Sequence, residues 1–240
     1  RLTGKQIGSK YGFIANGLFQ SEEEIANSAT VKGYKALPGY IKYVDRNGDG
    51  IITAAQDQGY VGKSATPKHT GSLNLFGNWK GFDFDLLFSW GLGNVVALTG
   101  QYTASGSVGT QDNTSFTKPF YHGGNSPTFL VENSWTPDNT NAEFPRLEIS
   151  GPSNNNGFSS TFWYRNGNYM RLKTAQIGYN FPKKWLTPAG IEGLRLYVEG
   201  YNLLTFSGLT KYNIDPESPA VNNGYYPQQR TYTLGVKLTF

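Results

Sequence analysis

Between Ser72 and Trp90 apolar and polar residues alternate one by one on both sides of a two-residue break, and no other stretch limits the fold as much. Leu73, Leu75, Gly77 and Trp79 alternate with Ser72, Asn74, Asn78 and Lys80. Phe82, Phe84, Leu86, Phe88 and Trp90 then alternate with Asp83, Asp85, Leu87 and Ser89. A period of two puts successive side chains on opposite faces of a strand. A turn at Lys80-Gly81 pairs Trp79 with Phe82, Gly77 with Phe84 and Leu75 with Leu86, so alternation and register agree. The result is a hairpin with one strongly apolar face, and Asp83 and Asp85 lie opposite it.

The stretch Tyr232 to Phe240 repeats the pattern. Tyr232, Leu234, Val236, Leu238 and Phe240 share one side, and Thr233, Gly235, Lys237 and Thr239 take the other. Two folds use such strands. A soluble antiparallel sheet buries the apolar side against a core. An outer-membrane barrel turns it to lipid, keeps the polar side for the lumen and places aromatics at the interface.

Composition narrows the choice. The chain has 240 residues, 15 % of them aromatic, with 30 Gly, a β-rich and turn-rich profile. Its mean hydropathy of −0.46 fits a barrel, whose loops and lumen are polar. No run approaches the ~18 apolar residues of a spanning helix. The net charge is only +4, and the Lys and Arg residues are scattered singly, which argues against a nucleic-acid partner. Without Cys the chain has no disulfide, thiolate metal site or cysteine nucleophile. His69 and His122 are its only histidines, little material for a two-His metal site or a Ser-His-Asp triad. The start at Arg1, with no signal-like apolar segment, leads us to expect a mature protein or a fragment.

Along the chain, residues 1–20 carry a broken β pattern. Ser21 to Glu24 fits a capping box for a short helix ending near Asn27. Residues 91–160 are rich in Gly, Asn, Thr, Ser and Pro and read as long loops, with at most a strand or two near Val95–Tyr102 and Phe116–Val131. From Tyr169, alternation resumes at Ala175, Ile177, Tyr179 and Phe181. Arg171 and Lys173 fall in the apolar phase, so the strand either leaves the apolar zone there or carries a bulge. Pro182 to Gly190 reads as a helical turn, followed by a strand with Leu194, Leu196 and Val198 on one side. Short connections at Lys80-Gly81 and 182–193 thus alternate with long ones at 91–160 and 207–229. Outer-membrane barrels have this layout, with turns in the periplasm and loops outside.

Asp45 to Ile51 (DRNGDGI) places oxygen ligands Asp45, Asn47 and Asp49 at positions 1, 3 and 5 of a calcium-type loop, and the Ile51 carbonyl at position 7. Gly50 supplies the sharp turn. Position 12 is Gln56 where such loops have a bidentate Glu, and Asp57 lies one residue further on. An Asn/Asp/Gly turn held by its own hydrogen bonds is the competing reading.

Several stretches together resemble the C-terminal part of the SusC-like TonB-dependent transporters of Bacteroidota outer membranes. They are Pro38 to Gly50 (PGYIKYVDRNGDG), Trp135 to Asn139 (WTPDN) with Phe144 to Leu147 (FPRL), and Tyr169 to Lys173 (YMRLK) with Ile177 to Asn180 (IGYN). Pro182 to Trp185 (PKKW), Asn202 to Thr205 (NLLT), Asp215 to Glu217 (DPE) and Tyr226 to Phe240 (YPQQRTYTLGVKLTF) continue the series. No single piece is specific, but the series in this order is. The resemblance implies an all-β chain, with residues 1–240 forming the C-terminal strands of an antiparallel transmembrane barrel of about 22 strands with long extracellular loops. Six or seven strands are expected here, with the plug and the TonB-contacting part upstream. Phe240, with Leu238 and Gly235, resembles a barrel-assembly signal.

The function implied is multi-pass insertion in the cell outer membrane and TonB-dependent import of oligosaccharides or peptides. A SusD-like lipoprotein would serve as lid, with no catalytic residue and no cofactor beyond a structural calcium at Asp45, Asn47, Asp49 and Ile51. The alternative is a soluble all-β glycan-binding or adhesin module, with Tyr and Trp stacking on sugar rings. Asp83 and Asp85 share a strand face, an arrangement open to a glycosidase pair, but lumen-facing charges solvated by a channel account for them more simply.

Overall fold

The computed structural model describes residues 4–5, 7–62, 64–98, 102, 118–120, 124–148, 155–218 and 228–240. Its largest element is a five-stranded antiparallel sheet built from β1 (His69–Trp79), β2 (Phe82–Leu92), β3 (Tyr169–Asn180), β4 (Gly193–Ser207) and β5 (Thr231–Thr239). Spatial order follows chain order, β5-β4-β3-β2-β1, a simple meander.

The hairpin register is the one alternation dictates: Trp79 faces Phe82, Gly77 faces Phe84 and Leu75 faces Leu86. Lys80 and Gly81 both have positive φ, 49° and 91°, as a two-residue turn between twisted strands requires. The pairing then runs across the whole sheet in rows. Phe84, Ile177, Val198 and Leu234 form one apolar row, and Phe82, Tyr179, Leu196 and Val236 the next. The interleaved rows are polar: Asp83, Gly178, Tyr197 and Gly235, then Asp85, Gln176, Glu199 and Thr233.

The phase anomaly at Arg171 and Lys173 is a bulge. Leu172 pairs with Phe88 and Leu204, whereas Thr174 pairs with Leu87 and Tyr201, so Lys173 is an extra residue on β3. On β4 the same step passes over Asn202 and Leu203, and Asn202 sits at φ 54°. The inserted residues restore the alternation, putting Met170 and Leu172 on the apolar face and Arg171 on the polar one. Two short turns, at Lys80-Gly81 and at 181–192, close one end of the sheet. At 181–192 one helical turn (Lys183–Leu186) is followed by a 3₁₀ turn (Thr187–Ala189), and Gly190 ends it at φ 68°. Both long connections leave from the opposite end.

The six or seven strands expected become five in this sheet. Among the described residues the remaining strands are two to four residues long, well under the 9–11 that cross a bilayer. They belong to a second compact unit, formed by the described residues within 1–66 and 95–165. Its core contains Phe13, Ile41, Tyr43, Ile52, Tyr102, Leu130, Phe144 and Trp163. Stacking of Phe13 on Phe158 (5.6 Å) and an edge contact of Tyr34 with Phe158 (5.0 Å) extend that core. Of the stretch Val95–Tyr102, where a strand is expected, Val95–Ala97 forms one, paired with Tyr164–Asn166, and residues 99–101 lie outside the described residues. Phe116–Val131 differs from expectation. Among its described residues, Lys118–Phe120 is a 3₁₀ turn and Thr128–Glu132 a helix that buries Leu130. Helix Glu22–Ala26 is capped by the Ser21 hydroxyl, which accepts from Glu24 N (3.1 Å), and Glu24 in turn accepts from Gln20 N (2.7 Å).

Candidate functional site on the polar face of the sheet

Arg195 on β4 lies flat across β3 to reach β2. Its Nε donates to Asp83 Oδ2 (2.9 Å) and its Nη2 to Gln176 Oε1 (2.8 Å), while Asn180 Nδ2 donates to Asp83 Oδ2 (2.7 Å). The strand it crosses carries Gly178 at that point. A Cβ on Gly178 would come within 2.6 Å of Arg195 Nη2, so only glycine leaves this path open. Gly235 makes the equivalent space on β5, where a Cβ would fall 2.1 Å from Tyr197 Cζ. The Arg195 guanidinium in turn sits 4.8 Å from the centre of the Tyr197 ring. Asp83, Arg195, Tyr197 and Glu199 thus share one polar surface, with Arg195 and Asp83 fixed by cross-strand contacts and Glu199 accepting the Tyr201 hydroxyl on its own strand (2.7 Å). Arg195 and Lys237 face each other in the register, and the pull of Asp83 draws Arg195 away from that like charge.

At the end of the sheet with the long connections, Arg171 is 2 % exposed. Its Nη2 donates to Asp215 Oδ2 (2.7 Å), Nη1 to Glu217 Oε2 (2.6 Å) and to Gln228 Oε1, and Nε to Thr205 Oγ1 (3.0 Å). Lys173 adds a second cation at 3.0 Å from Glu217. The bulge that turns Arg171 inward thereby pins the loop after β4 to the wall. Sequence reading flagged the bulge but missed the acidic partners, because Asp215 and Glu217 lie 44 and 46 residues away.

The Asp45 loop folds as a turn held by its own side chains. Asp45 accepts Gly48 N and Gly50 N, both at 2.7 Å, and those amides hold its carboxyl below the usual aspartate range. Asn47 Nδ2 donates to Asp49 Oδ2 (2.8 Å), and Asp49 Oδ1 accepts Ile51 N (2.9 Å). Asp57 is fully buried, and its two oxygens take Arg46 N (2.8 Å) and Thr53 N (2.7 Å), so it clamps the ends of the loop. Among the described residues no three His, Cys, Asp or Glu side chains gather in metal-binding fashion. The structure therefore keeps Asp45, Asn47, Asp49 and Ile51 together in one exposed turn and directs Asp57 elsewhere.

Comparison with known proteins places this geometry. No family model matches the chain. The chain is 32 % identical over 99 % of its length to TonB-dependent receptor P3 of Formosa agariphila, covering 22 % of that protein. It is 29 % identical to TonB-dependent receptor P26 of the same organism, over 100 % of the chain and 23 % of the receptor. It therefore spans somewhat over a fifth of the length of the curated relatives it matches. Among solved structures, that of the RagAB peptide transporter superposes with a TM-score of 0.61 at 24 % identity, over 97 % of this chain and 23 % of that one. The RagAB peptide importer in its closed-closed state gives a TM-score of 0.61 at 23 % identity, over 97 % and 23 %. The resemblance to SusC-like TonB-dependent transporters and the barrel fold read from the sequence are borne out. Over its whole length the chain is thus similar to a segment of the TonB-dependent receptors, and it shares the fold of a barrel transporter.

Proposed function

We propose that this chain supplies wall and outer loops to an outer-membrane, multi-pass importer that takes up oligosaccharides or peptides under TonB drive, with a SusD-like lipoprotein as lid. The observation that carries the reading is the apolar face of the sheet. Leu234 is 77 % exposed, Val236 61 % and Val198 54 %, in rows where a soluble sandwich would bury them. Lipid satisfies such a face, and the opposite face, with Asp83, Arg195, Tyr197 and Glu199, then lines a water-filled lumen. Similarity to TonB-dependent receptors over the whole chain supports the energy coupling, and likeness to a peptide transporter supports the peptide side of the cargo. The wall makes and breaks no covalent bond in this reading. It holds a polar path open while the loops meet the lid.

The experiment is uptake by cells whose only copy of the receptor carries an in-frame stop before β5. Loss of growth on the oligosaccharide or peptide source, restored by the intact gene and abolished by deleting the TonB homologue, is expected. Growth that survives the stop and the TonB deletion would contradict the reading, as would a polypeptide that stays soluble without detergent.

We further propose that Asp45, Asn47, Asp49 and the Ile51 carbonyl take a weakly held structural calcium. Without an acid at position 12 the affinity falls in the range of extracellular modules, about 10⁻⁴ to 10⁻³ M.

A further inference from the structure

The two short turns lie side by side: Asn180 N donates to Gly81 O at 2.7 Å. A run of rings follows from one turn to the other. Phe82 meets Tyr179 at 4.7 Å, Tyr179 meets Phe181 at 5.0 Å, and Phe181 meets Trp185 at 6.4 Å. Trp79, Trp185 and Phe82 are 69 %, 59 % and 53 % exposed, an amphipathic ring belt open to its surroundings. Three ammonium groups flank it. Lys80 Nζ sits 4.8 Å from the centre of the Trp79 ring, and Lys183 and Lys184 open the turn that carries Trp185. None of the three has a carboxylate partner among the described residues, and Asp83 is already taken by Arg195. Glu192 is the single acid of the two connections, leaving them an excess of two positive charges.

We propose that these turns form a binding site for the headgroup of an anionic phospholipid in the periplasmic leaflet, an inference that rests on the barrel reading above. Charge complementarity sets the ligand class: the ammonium groups of Lys80, Lys183 and Lys184 donate to a phosphodiester. Continuity sets the source. The rings of Trp79, Phe82 and Tyr179 are the last row of the apolar face, so the acyl chains of a bound lipid run along that face towards Phe84 and Val198. Indole and phenol groups then lie at the ester and glycerol level, where amphipathic rings are stable.

The test uses the full-length receptor in nanodiscs of equal parts phosphatidylglycerol and phosphatidylethanolamine, with lipids that stay bound on release counted by native mass spectrometry. Excess retention of phosphatidylglycerol is expected. Replacing Lys80, Lys183 and Lys184 with Gln should lower it by about five-fold per lysine, the effect of one basic residue at an anionic surface. Equal retention of the two lipids by a folded wild-type barrel would overturn the site alone. So would an unchanged preference in the triple variant. A wild-type receptor with no heat-modifiable folded form would instead overturn the barrel reading on which the site rests.

Discussion

Arg195 reaches Asp83 across an intervening strand, over the one residue there that has no side chain, Gly178. Three strands are thereby tied together on the polar face by a single guanidinium, at a level where Arg195 would otherwise face Lys237. In a barrel this fixes the position of a charge on the lumen side.

Gly178→Val closes that path. Arg195 must then leave Asp83, losing a charge-assisted pair whose partners are 21 % and 27 % exposed. The expected cost to barrel stability is modest, about 1 kcal/mol, because the pair is partly solvated. Asp83→Asn should cost a similar amount. The double variant should add little to either alone, since both remove one interaction. Denaturant melts of the refolded receptor read this, and fully additive costs would contradict the bridging role.

Arg171 is a different case, since it is buried with two carboxylates. Arg171→Ala leaves Asp215 and Glu217 with Lys173 as their one remaining paired cation and the Tyr169 hydroxyl on Glu217, at an expected cost of about 3–5 kcal/mol to the docking of the loop after β4. Limited proteolysis should cut that connection faster while the barrel keeps its heat-modifiable form. Replacing Arg171, Asp215 and Glu217 together by Met, Asn and Gln should recover much of the loss.

The Asp45 carboxyl lies below the usual aspartate value of about 3.9 because the amides of Gly50 and Gly48 donate to its charged form. A depressed folded value means that the loop gains stability above the unfolded value and loses it as pH falls through the folded one. NMR titration of the Asp45 carboxyl should give a midpoint below that of a model peptide. Asn at Asp45 should remove the pH response of the loop.

Calcium at millimolar concentration should slow proteolytic cleavage of the Asp45–Ile51 loop, and Asp45→Ala or Asp49→Ala should abolish that protection without unfolding the barrel. An unchanged cleavage rate would leave the loop as a turn held by its own hydrogen bonds.

Much of the sheet could be read from residue order alone. Strict alternation and a two-residue turn permit only one register for Ser72 to Trp90, and the misplaced pair Arg171 and Lys173 narrowed that point of β3 to an exit from the apolar zone or a bulge, of which the structure has the bulge. Contacts across many residues were hidden. Nothing local links Asp83 to Arg195, 112 positions apart, although Gly178 inside a strand was a usable sign that some group passes over it. The compact unit built partly from residues 95–165 was also hidden. Its core residues Leu130, Trp135, Phe144 and Trp163 fall in short apolar or aromatic clusters, or singly, within polar sequence and have no period. Burial there depends on partners such as Tyr102 stacked on Phe144 at 5.5 Å. Asp57, one residue off the calcium spacing, is occupied by the backbone amides that end the loop.

A lipid-facing position in mid-sheet should reject charge. Val198→Arg is expected to cost about 2–4 kcal/mol if it lies near the bilayer midplane. Thr233→Arg, on the polar face, should cost far less. Equal folded yields of the two variants would contradict the assignment of faces.

The central claim is that the two faces of this sheet meet two solvents, and single cysteines test it most directly, since the chain contributes no thiol of its own. Cysteine placed at Phe84, Leu86, Leu196, Val198, Leu234 or Val236 in the full receptor, in outer-membrane vesicles, should resist a membrane-impermeant maleimide. Cysteine at Asp83, Arg195, Glu199 or Lys237 should label readily. Fast labelling of the first set with protection of the second would reverse the faces, and fast labelling of both would show that no bilayer covers the sheet.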